Sequence, residues 1–324
     1  MWQTNMDWEV AKQRGAILSQ IRAFFEHKNV IEVETPSLSV GTVTDPFLEA
    51  FNTKYNYSKN TDIKKYQLLY LQTSPEFHMK RLLASGFGSI YQICKAFRHE
   101  DSGRYHNPEF TILEWYRLGF DQHDLIKEVD ELLTTILKCS QSEKISYQEL
   151  FIKFVSVDPL TASFTELYNV IKLYNKAEDW LYNSNDCDLL LQFIFSEIIE
   201  VNIGKNSPCF VYNFPIAQAS LAKQCTEDVR VAQRFECYFK GIELANGFNE
   251  LTDANTQVER FEQDNQKRQR LGLTIKEIDK NFVDALQLGL PQCAGVALGI
   301  DRLMMIALDK SAIDQIISFP IDHA

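Results

Sequence analysis

Between Phe97 and Phe110 the chain carries Arg98, Glu100, Arg104, His106, Asn107 and Glu109, a run of charged and hydrogen-bonding side chains bounded by aromatic rings. A guanidinium fork matches phosphate geometry in a way a lysine ammonium does not. A flat ring beside it offers a surface on which a purine can stack. This is the chemistry of a nucleotide site built without a glycine-rich loop. Further along, Glu243 and Glu250 bracket Gly247. Hard oxygen donors of this kind suit Mg²⁺ bridging to a polyphosphate, and Gly247 permits a bulge or a close backbone approach. Gly295 and Gly299 lie on an apolar run that leads into Arg302. A helix N-terminus next to an arginine attracts anions by geometry and charge together. Ser74-Pro75-Glu76 follows another apolar run, so Glu76 is either a receptor for a cation or a helix-start acid favoured by the dipole. Singly, each feature has a plainer reading as a charged hairpin or a helix end.

The elements that must position these residues are legible in the spacing of apolar side chains. Ile17, Ile21, Phe24 and Phe25 mark an amphipathic helix from about Glu9 to about Glu26. Val30–Thr35 reads as a strand stopped by Pro36, and Tyr66–Thr73 as a short apolar strand. Phe77–Ser85 reads as a helix ending at Gly86, with His78 as a packed histidine. Tyr91–Phe97 and Phe110–Tyr116 have strand composition, and Asp101, Ser102, Gly103, Asn107 and Pro108 form turns, which predicts an antiparallel pair with a long loop. Asp121 to about Lys138 is helical, and from Gln141 to about Lys205 the pattern predicts amphipathic core helices without chemistry. Cys209–Phe214 reads as a strand. Arg234–Phe239 alternates, with Arg234, Glu236 and Tyr238 on one face. A helix follows from about Asp253 to about Leu271, and its Lys267-Arg268-Gln269-Arg270 is expected to be a solvated face.

Composition narrows the class. With 324 residues, 45% hydrophobic and 24% charged, the chain can bury a sizeable core. The seven cysteines are scattered without a C-x-x-C pair, which fits reduced thiols rather than a disulfide framework or zinc site. The histidines show no transition-metal spacing. Leu189–Val201, the most apolar stretch, is interrupted by Gln192, Ser196, Glu197 and Glu200 and is too short to span a bilayer. The start has no apolar core of signal-peptide length. These features predict a cytoplasmic protein with no membrane association. The net charge of −11 argues against broad nucleic-acid binding, tRNA included.

In this order, the pieces resemble the catalytic domain of class II aminoacyl-tRNA synthetases. The helix, strand and Pro36 (about 11–36) look like motif 1, Tyr91–Tyr116 like motif 2, and Gly299-Ile300-Asp301-Arg302 (within about 295–308) like motif 3. Thr-Ser-Pro-Glu at Thr73–Glu76, His-Asn-Pro-Glu-Phe at His106–Phe110 and Glu-Leu-Ala-Asn-Gly-Phe from Glu243 are similar to lysyl-tRNA synthetase signatures. The resemblance implies an α+β fold, an antiparallel β-sheet flanked by helices, forming a single catalytic domain over 1–324. It implies a homodimer through motif 1 and no anticodon-binding domain. The chain departs from the subfamily at His99, where asparagine is usual, at Ala297, where glycine is usual, and in the lengthened loop Arg104–Asn107.

These departures resemble stand-alone paralogues of lysyl-tRNA synthetase. That resemblance implies activation of (R)-β-lysine with ATP and Mg²⁺, then acyl transfer to a lysine side chain of elongation factor P. Carried over residue by residue, it implies that Arg98 holds the α-phosphate and Arg302 the γ-phosphate. His99, Glu100 and Asn107 lie on the adenine side, Phe110 stacks on the base, and Gly299 admits the nucleotide. Glu243 binds metal and ATP with Leu244 contributing backbone contacts, and Glu250 serves metal or substrate. Ser74, Pro75, Glu76 and Tyr116 receive the substrate amines. An enzyme charging an RNA acceptor, and a non-catalytic sensor of ATP or an amino acid, remain open as alternatives.

Overall fold

The computed structural model describes residues 2–56, 66–219 and 221–324. The chain forms two compact units, Met1–Gly119 with Thr252–Ala324, and Phe120–Leu251.

The first unit begins with α1 (Trp8–His27), capped by the Asp7 carboxylate, which accepts the Glu9 N–H. Val10, Ile17, Ile21 and Phe25 form its buried stripe. Then come β1 (Ile31–Glu32), β2 (Leu38–Ser39), β3 (Asn52–Tyr55), β4 (Gln67–Leu71), α2 (Glu76–Ala84), β5 (Ile90–Phe97) and β6 (Glu109–Leu118). The strand expected over Val30–Thr35 is only the Ile31–Glu32 pair, parallel to β5. α2 closes one residue before Ser85, and Gly86 takes the left-handed conformation (φ +88°) that glycine adopts without strain.

The second unit holds α3 (Gln122–Leu137), β7 (Glu143–Ser146), α4 (Tyr147–Val155), α5 (Phe164–Leu173), α6 (Asp179–Ser184), α7 (Cys187–Ile194), β8 (Cys209–Pro215), β9 (Val231–Phe239) and β10 (Ile242–Asn249). The chain returns to the first unit with α8 (Ala254–Arg270), α9 (Lys280–Gly289), β11 (Cys293–Gly299) and α10 (Ile300–Ala307). No helix among the described residues is long and apolar enough to cross a membrane.

In the first unit the strands run β1-β5-β6-β11, antiparallel except for β1, beside a small antiparallel sheet β2-β4-β3. In the second they run β10-β9-β8-β7, antiparallel except for β7. Helices with mostly antiparallel sheets make the fold α+β, as expected. β7 lies inside the segment read as helices alone; its short polar run Glu-Lys-Ile-Ser has no apolar alternation to announce it. The rest of that segment is core as expected, with Tyr147 stacked near Phe151 and Phe195 (4.7 and 5.3 Å).

α1 backs the first sheet. Phe25 stacks on Tyr91 at 4.4 Å and meets Trp115 edge-on at 5.3 Å. Directly opposed residues share a sheet face, so the register fixes which residues point away from α1. They are Gln92, Cys94 and Ala96 of β5, Phe110, Ile112, Glu114 and Tyr116 of β6, and Gly295, Ala297 and Gly299 of β11.

Candidate active site

That far face combines a floor of small residues with polar side chains at its centre. Gly295, Ala297 and Gly299 stand opposite Tyr116, Glu114 and Ile112, so small residues lie where larger side chains would fill the space. Glu114 is 3% exposed and Tyr116 2%, and the Tyr116 hydroxyl donates to Glu114 Oε1 at 2.6 Å. A carboxylate in an apolar sheet is costly unless it is hydrogen-bonded. Its charge is felt nearby: burial first, and Glu114 second, push the Cys94 thiol up to about 12. In the sequence Glu114 does not stand out, because Thr-Ile-Leu-Glu-Trp reads as core. Its even-numbered register with Phe110 and Tyr116 was the available signal.

At the loop end of β5 and β6, the Arg98 guanidinium sits 5.1 Å from the Phe110 ring centroid, within cation–π range. Arg98 Nε is 3.5 Å from the Thr73 carbonyl, and its backbone N–H is fixed by the Pro108 carbonyl at 2.9 Å. The His99 N–H donates to the Glu49 carbonyl at 2.9 Å, and its ring lies 4.9 Å from Phe51. Glu100 is exposed just past β5. Arg302, in the first turn of α10, extends back along Gly299: a Cβ there would meet Arg302 Cδ at 3.5 Å. Arg302 Nη2 is 2.7 Å from His106 Nε2, and its Nε is 3.4 Å from the Tyr105 carbonyl. An arginine only donates, so Nε2 accepts and the neutral imidazole carries its proton on Nδ1. Burial first, then the Arg302 charge, hold the His106 pKa below its ordinary value. The motif 2 loop and motif 3 helix thus meet at His106, a contact that sequence spacing cannot show.

Two expected site residues are already engaged. Asn107 is 8% exposed; its amide donates to the Glu109 carbonyl at 2.6 Å and accepts the Ile321 N–H at 2.9 Å. It fastens the end of the chain to the loop. Glu76, in the first turn of α2, takes the buried Lys80 ammonium at 2.6 Å. Ser74 Oγ accepts the Glu76 N–H at 3.4 Å, and Pro75 occupies the N-cap position. Arg268 corrects another expectation. It is 1% exposed, and its guanidinium binds Glu49 Oε2 at 2.7 Å and the carbonyls of Asp45 and Thr274 at 2.9 and 2.7 Å. Phe261 and Arg268, seven residues apart on α8, share its buried face, whereas Lys267 lies over the Phe47 ring.

The second unit carries the remaining expected residues on the β9–β10 hairpin. Glu243 opposes Tyr238 and Asn246 opposes Glu236, and the register slips between Glu243 and Ala245. The bulged residue is therefore Leu244, not Gly247, and the Leu244 backbone is set out of the regular ladder. Glu236 sits at the centre: Arg234 Nη2 and the Tyr238 hydroxyl bind its two oxygens at short range, and Asn246 Nδ2 lies 3.4 Å away. Burial pulls the Arg234 pKa down, and the charges of Glu236, Tyr238 and Glu243 more than restore it. Glu243 is half-buried and Glu250 is 2% exposed. Among the described residues no group of three or more His, Cys, Asp or Glu gathers into a metal cage. Glu243 and Glu250 are hard oxygen donors fit for Mg²⁺, which takes one or two carboxylates and completes its shell with substrate phosphates.

These features, an arginine beside an aromatic platform, a second arginine on a helix that starts at a strand end, and a floor of small residues, find a family. Residues 3–323 match the tRNA synthetases of class II (D, K and N), and the chain belongs to that family. Within it, the chain is similar over its whole length to proteins named elongation factor P–(R)-beta-lysine ligase. It is 53% identical to that of Photobacterium profundum (100% of this chain, 99% of the relative), 50% to that of Pasteurella multocida and 51% to that of Buchnera aphidicola from Acyrthosiphon pisum (each 100% and 98%).

Proposed function

We propose that this chain is an ATP-dependent ligase that activates (R)-β-lysine as its adenylate and transfers it to a lysine side chain of elongation factor P. The observation that carries the reading is the far face of β5-β6-β11. There Arg98 lies over Phe110, Arg302 follows Gly299, and the buried Glu114–Tyr116 pair stands above small residues. A carboxylate oxygen of β-lysine attacks the α-phosphorus and pyrophosphate leaves. An acceptor lysine nitrogen, deprotonated, then attacks the carbonyl carbon; the C–O bond to AMP breaks and an amide forms. Charge builds on phosphate oxygens in the first step, so catalysis is chiefly positioning and electrostatic stabilisation.

In this reading Arg98 and Arg302 meet the phosphates, Phe110 stacks on the base, and Gly299 gives the nucleotide room. His99 and Glu100 border the adenine side, where Asn107 holds the loop in shape. Glu114 and Tyr116 receive a substrate ammonium, because a buried cation needs an anionic partner. Ser74, Pro75 and Glu76 shape the same pocket. Glu243 and Glu250 hold Mg²⁺, which supplies charge neutralisation on the polyphosphate, with Leu244 contributing backbone contacts. The family's homodimer is consistent with the exposed Ile31 in the motif 1 stretch and the exposed Trp8 just before it (65% and 75%). A cytoplasmic location fits a partner of the translation machinery.

The test supplies ATP, Mg²⁺ and (R)-β-lysine with elongation factor P and bulk tRNA as competing acceptors. The expected result is a mass increase on elongation factor P with tRNA unlabelled. Labelled tRNA with unmodified protein would transfer the case to an RNA-charging enzyme, and absence of pyrophosphate exchange with every lysine isomer would leave a sensor.

A further inference from the structure

Gly299 pairs with Ile112, so an antiparallel ladder would next pair Ile300 with Thr111. The chain instead turns into α10 at Ile300, which takes the ladder's acceptor away from the Thr111 N–H. The Asp301 carboxylate replaces it: Oδ2 accepts that N–H at 2.6 Å. Oδ1 pairs with Arg14 Nη1 of α1 at 2.7 Å, and Arg14 Nη2 donates to Thr111 Oγ1 at 3.0 Å. The three residues close a ring linking α1, β6 and α10. It is nearly dry, with Asp301 2% and Thr111 8% exposed. Asp301 also sits in the first turn of α10, where the helix dipole favours an acid.

What matters is the sequence neighbours. Thr111 follows Phe110, and Asp301 precedes Arg302. The ring lies on the α1 side of the sheet, with the site on the opposite side, so its members touch no nucleotide. We infer that Arg14 and Asp301 are positioning residues that fix the Phe110 platform relative to Arg302 and so set the geometry for ATP. This deepens the function proposed above and rests on it for its kinetic readout. A packing role alone would lower stability and leave the balance between the two substrates as it was; a positioning role acts selectively on ATP.

The experiment makes Asp301→Asn, Arg14→Gln and the double variant. It measures pyrophosphate exchange with varied ATP and varied (R)-β-lysine, equilibrium binding of a non-hydrolysable ATP analogue, and melting temperature. Each single variant is expected to lose about tenfold to 10²-fold in kcat/KM for ATP. The KM for the amino acid should stay within roughly twofold. The double variant should be no worse than the more impaired single, because the residues share one network. Equal losses for both substrates, or losses that multiply in the double variant, would overturn the inference. If Asp301→Asn does not fold, Arg14→Lys decides: it keeps the charge without the two-pronged contact, so an ATP-selective loss supports positioning and wild-type kinetics sink it. Should the unaltered enzyme exchange with no lysine isomer, the activity reading fails separately, and analogue binding across the variants still decides the clamp.

Discussion

Arg98 and Arg302 of the first unit and Arg234 of the second are the same side chain, put to different ends in the function proposed above. Arg234 lies 4.8 Å from the Phe214 ring, donates to the Gln218 carbonyl at 2.6 Å and pairs with Glu236. Arg98 has a similar ring at 5.1 Å, yet its carbonyl contact is long at 3.5 Å. Arg302 is steered by an imidazole and another long carbonyl contact. A ring beside a guanidinium therefore says little about role. Glu236 answers the Arg234 charge within the fold.

The harshest test of that contrast removes the carboxylate. Glu236→Ala takes the buried carboxylate away from the half-buried Arg234, which costs about 3–5 kcal/mol of stability. Denaturant or thermal unfolding should register it, and unchanged stability would show that Arg234 is not held as argued. The complementary change falls on catalysis. Arg98→Ala and Arg302→Ala should each lower the maximal exchange rate by about 10²–10³-fold, the usual cost of removing a donor from developing charge. Melting temperature should move far less than in Glu236→Ala. Near-normal exchange in either variant would end its phosphate role.

The same contrast explains what the sequence could disclose. The hairpin of β5 and β6 was legible because its chemistry is contiguous: Arg98 through Phe110 is one run, and turn formers announce the loop. The start of α10 was legible because Gly299 and Arg302 are three apart. Features made by partners distant in sequence were not. Glu236 was visible only as one side of an alternation, since its meaning depends on Asn246 across the hairpin. Arg268 looked solvated because its partner Glu49 lies far away in the chain. Glu76 has two readings in the sequence, and neither shows its pairing with Lys80 one turn later. Gly247 drew attention as the residue able to bulge, whereas the slip falls at Leu244. Conformational permission did not locate it.

The smallest expected effect is the most specific to the first unit. Burial, then Arg302, hold the His106 pKa below the ordinary 6.5; Arg98 adds to this and Glu100 opposes it. Above that value the imidazole is neutral whether or not the chain is folded, and Nε2 can accept from Arg302. As pH falls below it, the unfolded chain takes a proton that the folded site resists, so this contribution to stability fades through the depressed pKa. Protonation also removes the acceptor that steers Arg302 and sets two cations side by side. Exchange at subsaturating ATP should therefore show an acid limb below pH 6.5, a loss of only a few-fold. His106→Asn retains an acceptor oxygen without a proton to gain, so its limb should flatten. Glu236→Gln, which alters only the second unit's pair, should leave the limb in place. A limb that survives in His106→Asn would assign the titration to another group and leave Arg302 steered by the Tyr105 carbonyl.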